Sequence, residues 1–138
     1  MKSIDMPSAK LRVLVVDDEK DTRELLAYVL GQCEVRVTSV GTASDAIAAL
    51  AREPFDVLIS DIGMPVEDGL ALIRRLRRLP PSQGGQIPAL ALTAYARSED
   101  RIAALKAGFH MHLAKPIDPS DLLVTIATLV GGYRSNES

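Results

Sequence analysis

Five side chains carry the chemistry of this sequence: the adjacent carboxylates Asp17 and Asp18, a third carboxylate at Asp61, the hydroxyl of Thr93 and the amine of Lys115. Each follows a short apolar run: LRVLVV before Asp17, DVLIS before Asp61, IPALAL before Thr93 and MHLA before Lys115. Bringing three carboxylates into one crevice has a cost. Two like charges about 4 Å apart repel by roughly 4 kcal/mol at an effective dielectric near 20. A hard divalent cation with oxygen ligands offsets that repulsion, and Mg²⁺ is the common cytoplasmic choice. Lys115 adds a fixed positive charge. The set suits phosphoryl transfer to a carboxylate, in which an aspartate is the nucleophile and becomes an aspartyl phosphate. Metal and lysine then neutralise the transferred oxygens, and the threonine hydroxyl hydrogen-bonds one of them. The chain has no Walker loop and no G-x-G-x-x-G. The phosphoryl donor is therefore expected to be another protein or a small phosphodonor.

These residues need elements to hold them. Residues 11–16 are apolar and valine-rich, which predicts a strand buried on both faces, as in a parallel sheet. Residues 22–30 carry leucines and valine at helical spacing, with Gly31 as the expected stop. Residues 35–40 alternate apolar with polar and predict a more exposed edge strand. Thr42 or Ser44 caps a second helix running toward Pro54. Residues 56–60 predict another buried strand, followed by a Gly/Pro-bearing loop at 63–69 and an amphipathic helix at 70–79. After a Pro/Gly loop at 80–85, residues 87–92 predict a fourth strand. Ser98 is the expected N-cap of a helix that Gly108 ends. Residues 111–114 predict a fifth strand, and Asp118 with Pro119 opens the last helix. Five strand–helix units in alternation predict a doubly wound parallel α/β sheet with helices on both faces and right-handed crossovers. Ligands in such a sheet bind beyond the carboxyl ends of the strands, where the five residues fall.

Composition narrows the function. The 138 residues suit one domain, with 47% hydrophobic and 25% charged residues and a net charge of −2. No global positive field draws the chain to nucleic acid or to a membrane surface. No apolar run is long enough for a signal-peptide core or a membrane span. The single cysteine, Cys33, has no internal partner. It is expected to be a buried structural thiol in a reducing compartment, and the protein to be cytoplasmic. Arg74, Arg75, Arg77 and Arg78 predict a solvated helix face rather than a nucleic-acid patch, because no aromatic residues interleave them. His110 and His112 lie two apart on a strand, with no third ligand placed to complete a transition-metal site.

Four motifs occur in order, each at the end of a predicted strand: VLVVDDE at 13–19, DVLISDIGMPVEDG at 56–69, LTA at 92–94 and LAKPI at 113–117. Together they resemble the receiver domain of two-component response regulators. The resemblance covers about residues 10–130, with residues 1–9 and 131–138 as flexible tails. It implies a flavodoxin-like (βα)5 fold with strand order 2-1-3-4-5. It implies Asp61 as phospho-acceptor, with Asp18, Asp61 and the backbone carbonyl of Gly63 as direct Mg²⁺ ligands and Asp17 holding the metal through water. Thr93 and Lys115 are implied to bind phosphoryl oxygens, and the bond between Lys115 and Pro116 to be cis. The implied partners are a sensor histidine kinase or a histidine phosphotransfer protein. A phosphorylation-dependent homodimer or output partner would use residues 98–130. The length leaves no room for a DNA-binding output domain, so a stand-alone regulator or the receiver part of a larger protein is expected. The wording of LAKPI and GFHMHL is similar to receivers attached to hybrid histidine kinases.

The sequence departs from the family pattern at the switch position, usually Tyr or Phe, which falls on His112. Thr93 and His112 are the implied switch pair, and a histidine there predicts mildly pH-dependent activation. Gly63 presents no side chain to position an attacking water, and Tyr95 is placed to cover the site, so the phospho-form is expected to last minutes or longer. Two other functions have different signatures. A Mg²⁺-dependent aspartyl phosphatase typically carries an acid two residues after its nucleophile, and Gly63 stands there. A degenerate, phosphate-independent interaction module would have lost part of the Asp17, Asp18, Asp61, Thr93 and Lys115 set. The chain is thus expected to be a signalling domain and not a turnover enzyme.

Overall fold

The computed structural model describes residues 11–94 and 97–135. The expected tail at 1–9 and the side chain of Tyr95 lie outside the described residues. Five strands, β1 (Arg12–Val16), β2 (Arg36–Val40), β3 (Val57–Asp61), β4 (Ala89–Thr93) and β5 (Met111–Ala114), alternate with five helices, α1 (Lys20–Gly31), α2 (Ala43–Arg52), α3 (Gly69–Arg77), α4 (Ser98–Ala107) and α5 (Pro119–Ser135). All strand pairs are parallel. Their order is β2-β1-β3-β4-β5, the flavodoxin-like arrangement that the motifs implied.

Alternation along each strand divides the core in two. Val13, Val15, Ile59, Leu90 and Leu92 face one side and pack against Leu26, Leu30, Leu122 and Ile126 of α1 and α5. Leu14, Val16, Leu58, Ala89 and Ala91 face the other and pack against Ala46, Leu72, Ile73, Leu76 and Ala104 of α2, α3 and α4. Every residue of β3 and β4 is buried, which explains the apolar runs at 57–59 and 89–92. β2 is the exposed edge, as its alternation predicts. Met111 and Leu113 join the α1–α5 side, so His112, between them, faces α4. Half-buried Cys33 is a free thiol packed against that same α1–α5 side.

Helix ends follow side-chain caps where these exist. The Thr42 hydroxyl accepts from the Asp45 amide, Asp68 from Ala71 at 2.8 Å, and Asp118 from Ser120 and Asp121. Several boundaries differ from expectation. α1 begins at Lys20 instead of residue 22 and retains Gly31 as its last residue. Ser98 is the first residue of α4, and Arg97 occupies the cap position without a side-chain cap bond. α5 continues through Gly131 and Gly132 to Ser135, past the expected end at residue 130. Extending a formed helix adds one bond per ordered residue, so glycine weakens it without stopping it.

Arg77 corrects the reading of a wholly solvated arginine face. Its Nε and Nη2 donate to the carbonyl of Gly108 at 3.0 and 2.8 Å, and its Nη1 donates to that of Gly85 at 3.2 Å. It therefore ties α3 to the α4–β5 turn and to the loop before β4. Arg75 does reach outward, pairing with Glu67 at 3.0 Å. Among the described residues, no helix is long and apolar enough to cross a membrane.

Candidate functional site

Parallel pairing in register brings the carboxyl ends of the strands to one rim. Val16 lies beside Ser60, Asp61 beside Leu92 and Thr93 beside Ala114. Asp61 and Thr93, the last residues of β3 and β4, then emerge at the same edge of the molecule as Asp17 and Lys115, which follow β1 and β5. The backbone N–H of Lys115 donates to the Thr93 carbonyl at 2.7 Å, which carries β4–β5 pairing into the site. The bond between Lys115 and Pro116 is cis.

The carboxylates meet there. Asp17, Asp18 and Asp61 each offer one oxygen, and the three oxygens lie within 4.8 Å of one another. Asp17 is fully buried, Asp61 is 6% exposed and Asp18 is open to solvent. The Lys115 ammonium sits 3.0 Å from Asp17 Oδ2, 3.1 Å from Glu19 Oε1 and 3.6 Å from Asp61 Oδ1. A hollow of about 560 Å³ opens over them, lined by Asp18, Glu19, Asp61, Gly63, Thr93 and Lys115. Thr93 is buried at the end of β4. All five residues singled out by chemistry therefore gather at one rim. A second hollow of about 300 Å³ lies at the opposite end of the strands. Its carboxylates are already engaged: Glu53 pairs with Arg12, and Asp56 accepts the Arg12 backbone N–H.

The electrostatics follow from burial and neighbours. Burial first, then the charges of Asp17 and Asp18, push the Asp61 pKa up, while Lys115 and the Gly63 N–H pull the other way. The Gly63 amide donates to Asp61 Oδ1 at 3.3 Å. The ammonium of Lys115 loses solvation, yet its bonds to Asp17 and Glu19 raise its pKa overall. It stays charged at neutral pH. Three hard oxygen donors at this separation, two of them buried, fit a hard divalent cation better than a soft one.

Two supporting residues were not legible as such. Glu19 accepts directly from Lys115, and that bond lowers its pKa. Its place in the Asp-Asp-Glu run was the available signal. Arg23 donates from Nη1 to the backbone carbonyl of Asp17 at 2.7 Å and so holds the loop that presents Asp17 and Asp18. Nothing in its local sequence marks it. His112 is not brought into the hollow. Its Nε2 is buried without a hydrogen-bond partner, and burial, then Arg101, lowers its pKa against a smaller opposing effect of Asp100. The ring is therefore neutral at pH 7, and any titration of it moves to the acid side of its usual range.

Gly69 is required by close approach. A Cβ there would lie 2.3 Å from the Asp61 carbonyl oxygen and 2.7 Å from the Ile62 Cα. Gly69→Ala must push the start of α3 away from the end of β3, and is expected to lower stability by about 2–4 kcal/mol. Denaturant unfolding checks this; an unshifted midpoint would show that the loop yields freely.

Residues 13–127 match the family model described as response regulator receiver domain. A curated relative, an uncharacterized 14.6 kDa protein of Leptolyngbya boryana, is 49% identical over 115 residues, covering 83% of this chain and 86% of that one. The response regulator protein PilR of Pseudomonas aeruginosa is 38% identical over 120 residues, covering 87% of this chain but only 26% of PilR. Among solved structures, the receiver domain of sensor histidine kinase PA1611 of P. aeruginosa, crystallised with a magnesium ion in its active-site cleft, superposes with a TM-score of 0.80 at 30% identity, covering 89% of this chain and 99% of that one.

Proposed function

The chain belongs to the response regulator receiver domain family, and from that premise we propose that Asp61 takes a phosphoryl group from a phosphohistidine and switches an interaction surface. One observation carries this reading: the Asp61 carboxylate lies at the floor of an open hollow, 3.6 Å from Lys115 and within 4.8 Å of the oxygens of two further aspartates. An Asp61 oxygen attacks phosphorus, the nitrogen–phosphorus bond of the donor breaks, and its electron pair returns to the imidazole. Lys115 offsets the negative charge that gathers on the phosphoryl oxygens, and the Thr93 hydroxyl donates to one of them. Mg²⁺, held by Asp18, Asp61 and the Gly63 carbonyl and by Asp17 through water, would supply further charge neutralisation.

The domain is phosphorylated once and does not turn over a substrate. The donor is a sensor histidine kinase or a histidine phosphotransfer protein, and the reaction takes place in the cytoplasm. Movement of Thr93 toward the phosphoryl group biases residues 98–130, toward either a second copy or an output partner. In support, α4 buries only Ala104 fully, and its Ile102 and Leu105 remain 50% and 41% exposed. A degenerate receiver is disfavoured because no member of the acidic, hydroxyl and amine set is missing. An aspartyl phosphatase is disfavoured because Gly63 offers no general acid.

Mg²⁺ with beryllofluoride, a mimic of the bound phosphoryl group, tests this. Mg²⁺ alone at ten times its dissociation constant should stabilise the chain by about 1.4 kcal/mol. Beryllofluoride should bind only when Mg²⁺ is present, and acetyl phosphate should attach one phosphoryl group to Asp61. Absence of both beryllofluoride binding and labelling would leave a phosphate-independent module as the better reading.

A further inference from the structure

At the end of the sheet remote from the acidic cluster, two donors converge on one imidazole nitrogen. The backbone N–H of Ala89, the first residue of β4, points at Nδ1 of His110 at 3.0 Å. Nη2 of Arg77 lies 3.4 Å from the same atom. The His110 N–H in turn donates to the Ala89 carbonyl at 2.9 Å, so the two residues clasp each other. An atom that receives two donors must present a lone pair, so His110 is neutral with its proton on Nε2. The groups facing it are Arg77 from α3, the Ala89 backbone from β4 and the Gly108 carbonyl that Arg77 holds. Among the described residues no carboxylate forms an ion pair with His110 or with Arg77.

We propose that His110, Arg77 and the Ala89 backbone form an acid-released clasp that fixes the start of β4 and β5 to the C-terminal end of α3. Protonation of Nδ1 removes the acceptor of the Ala89 N–H and places a second cation beside the guanidinium. The Arg77 bonds to Gly108 and Gly85 are then strained from one side, and the α4–β5 segment loosens against α3. Burial, then Arg77, lowers the pKa of His110, as such a clasp requires. His110 remains open enough to solvent for protons to reach it. The clasp is separate from the phosphoryl chemistry and works whether or not Asp61 is an acceptor.

The test is the hydrogen-exchange protection of the Ala89 amide in the full chain, read by NMR beside the titration of both histidines. As pH is lowered from about 7 through the measured His110 midpoint, the protection factor should fall about fivefold or more, with global unfolding monitored separately. His110→Asn, whose Oδ1 keeps an acceptor but does not titrate, should change less than about twofold. His112→Asn should retain the wild-type fall. A His110 midpoint at or above the ordinary 6.5, or wild-type protection that stays flat through the His110 titration, overturns the clasp. If His110→Asn fails to fold, the wild type and His112→Asn decide the matter without it.

Discussion

Asp61→Asn is expected to abolish phosphoryl acceptance and, in the same chain, to make the metal-free protein more stable. An amide is no nucleophile toward phosphorus, so labelling by acetyl phosphate should drop by about a thousandfold or more. The stability gain has a separate origin. Asp61 is nearly buried, and its pKa is raised chiefly by that burial and then by Asp17. The folded state therefore holds its Asp61 proton more tightly than the unfolded chain does. By linkage, this favours the fold below the unfolded value of 3.8 and is lost as pH rises through the folded value. At neutral pH the ionised carboxylate strains the apo fold, and the amide removes that strain. The gain should be present at about pH 7.5 and should fall away as pH drops toward about 3.5, where the carboxyl is protonated in both states. Mg²⁺ should reverse the ranking, because it stabilises the three-carboxylate wild type more than the two-carboxylate variant. Denaturant unfolding at both pH values, with and without Mg²⁺, checks all of this. A variant less stable than wild type at neutral pH without metal would mean that Lys115 already outweighs the repulsion.

Lys115→Met should have the opposite sign. Methionine keeps the apolar stem and removes the charge. The ammonium is the direct partner of fully buried Asp17 and contacts Glu19 and Asp61 as well. Breaking a buried ion pair typically costs 3–5 kcal/mol, because one charge is left without compensation. The Lys115 side chain is 18% exposed, so water can partly replace it. The expected loss is about 2–4 kcal/mol at pH 7 without metal. The loss should shrink with Mg²⁺, which supplies charge to the same carboxylates. It should also shrink toward about pH 4, as carboxylates take up protons. Phosphoryl acceptance should fall by about a hundredfold even at saturating Mg²⁺, because the lysine charge acts on oxygens that the metal does not cover. An apo stability within about 0.5 kcal/mol of wild type would show that the Lys115 pairs are solvated and contribute little.

Chain-local pattern determined more of this protein than its low aromatic content would suggest. Strands β1, β3 and β4 were legible because a strand covered on both faces must be continuously apolar, and β2 because an edge strand alternates. Alternation of strand and helix specified a parallel sheet, and in a parallel sheet the residue after each strand falls at one rim. That rule located Asp17, Asp18, Asp61, Thr93 and Lys115 before any contact was known. The motif order added the strand order and the cis bond, which periodicity could not supply.

What needed the tertiary structure were contacts between residues distant in sequence. Lys115 bonds to Glu19 across 96 positions, and Arg77 to Gly108 across 31. Both depend on register and on the angle at which a helix leaves its strand, and neither quantity has a local signature. Arg74, Arg75, Arg77 and Arg78 cluster at the end of α3 and its cap, yet it is Arg77 that meets the Gly108 and Gly85 carbonyls. His110 and His112 likewise share a spacing but differ in fate: one nitrogen receives two donors, and the other histidine buries an Nε2 with none. The apolar pattern states which face of an element is covered. It does not state which polar atom of a neighbour will lie opposite, because hydrogen-bond partners are chosen over ångströms that only the packed fold sets.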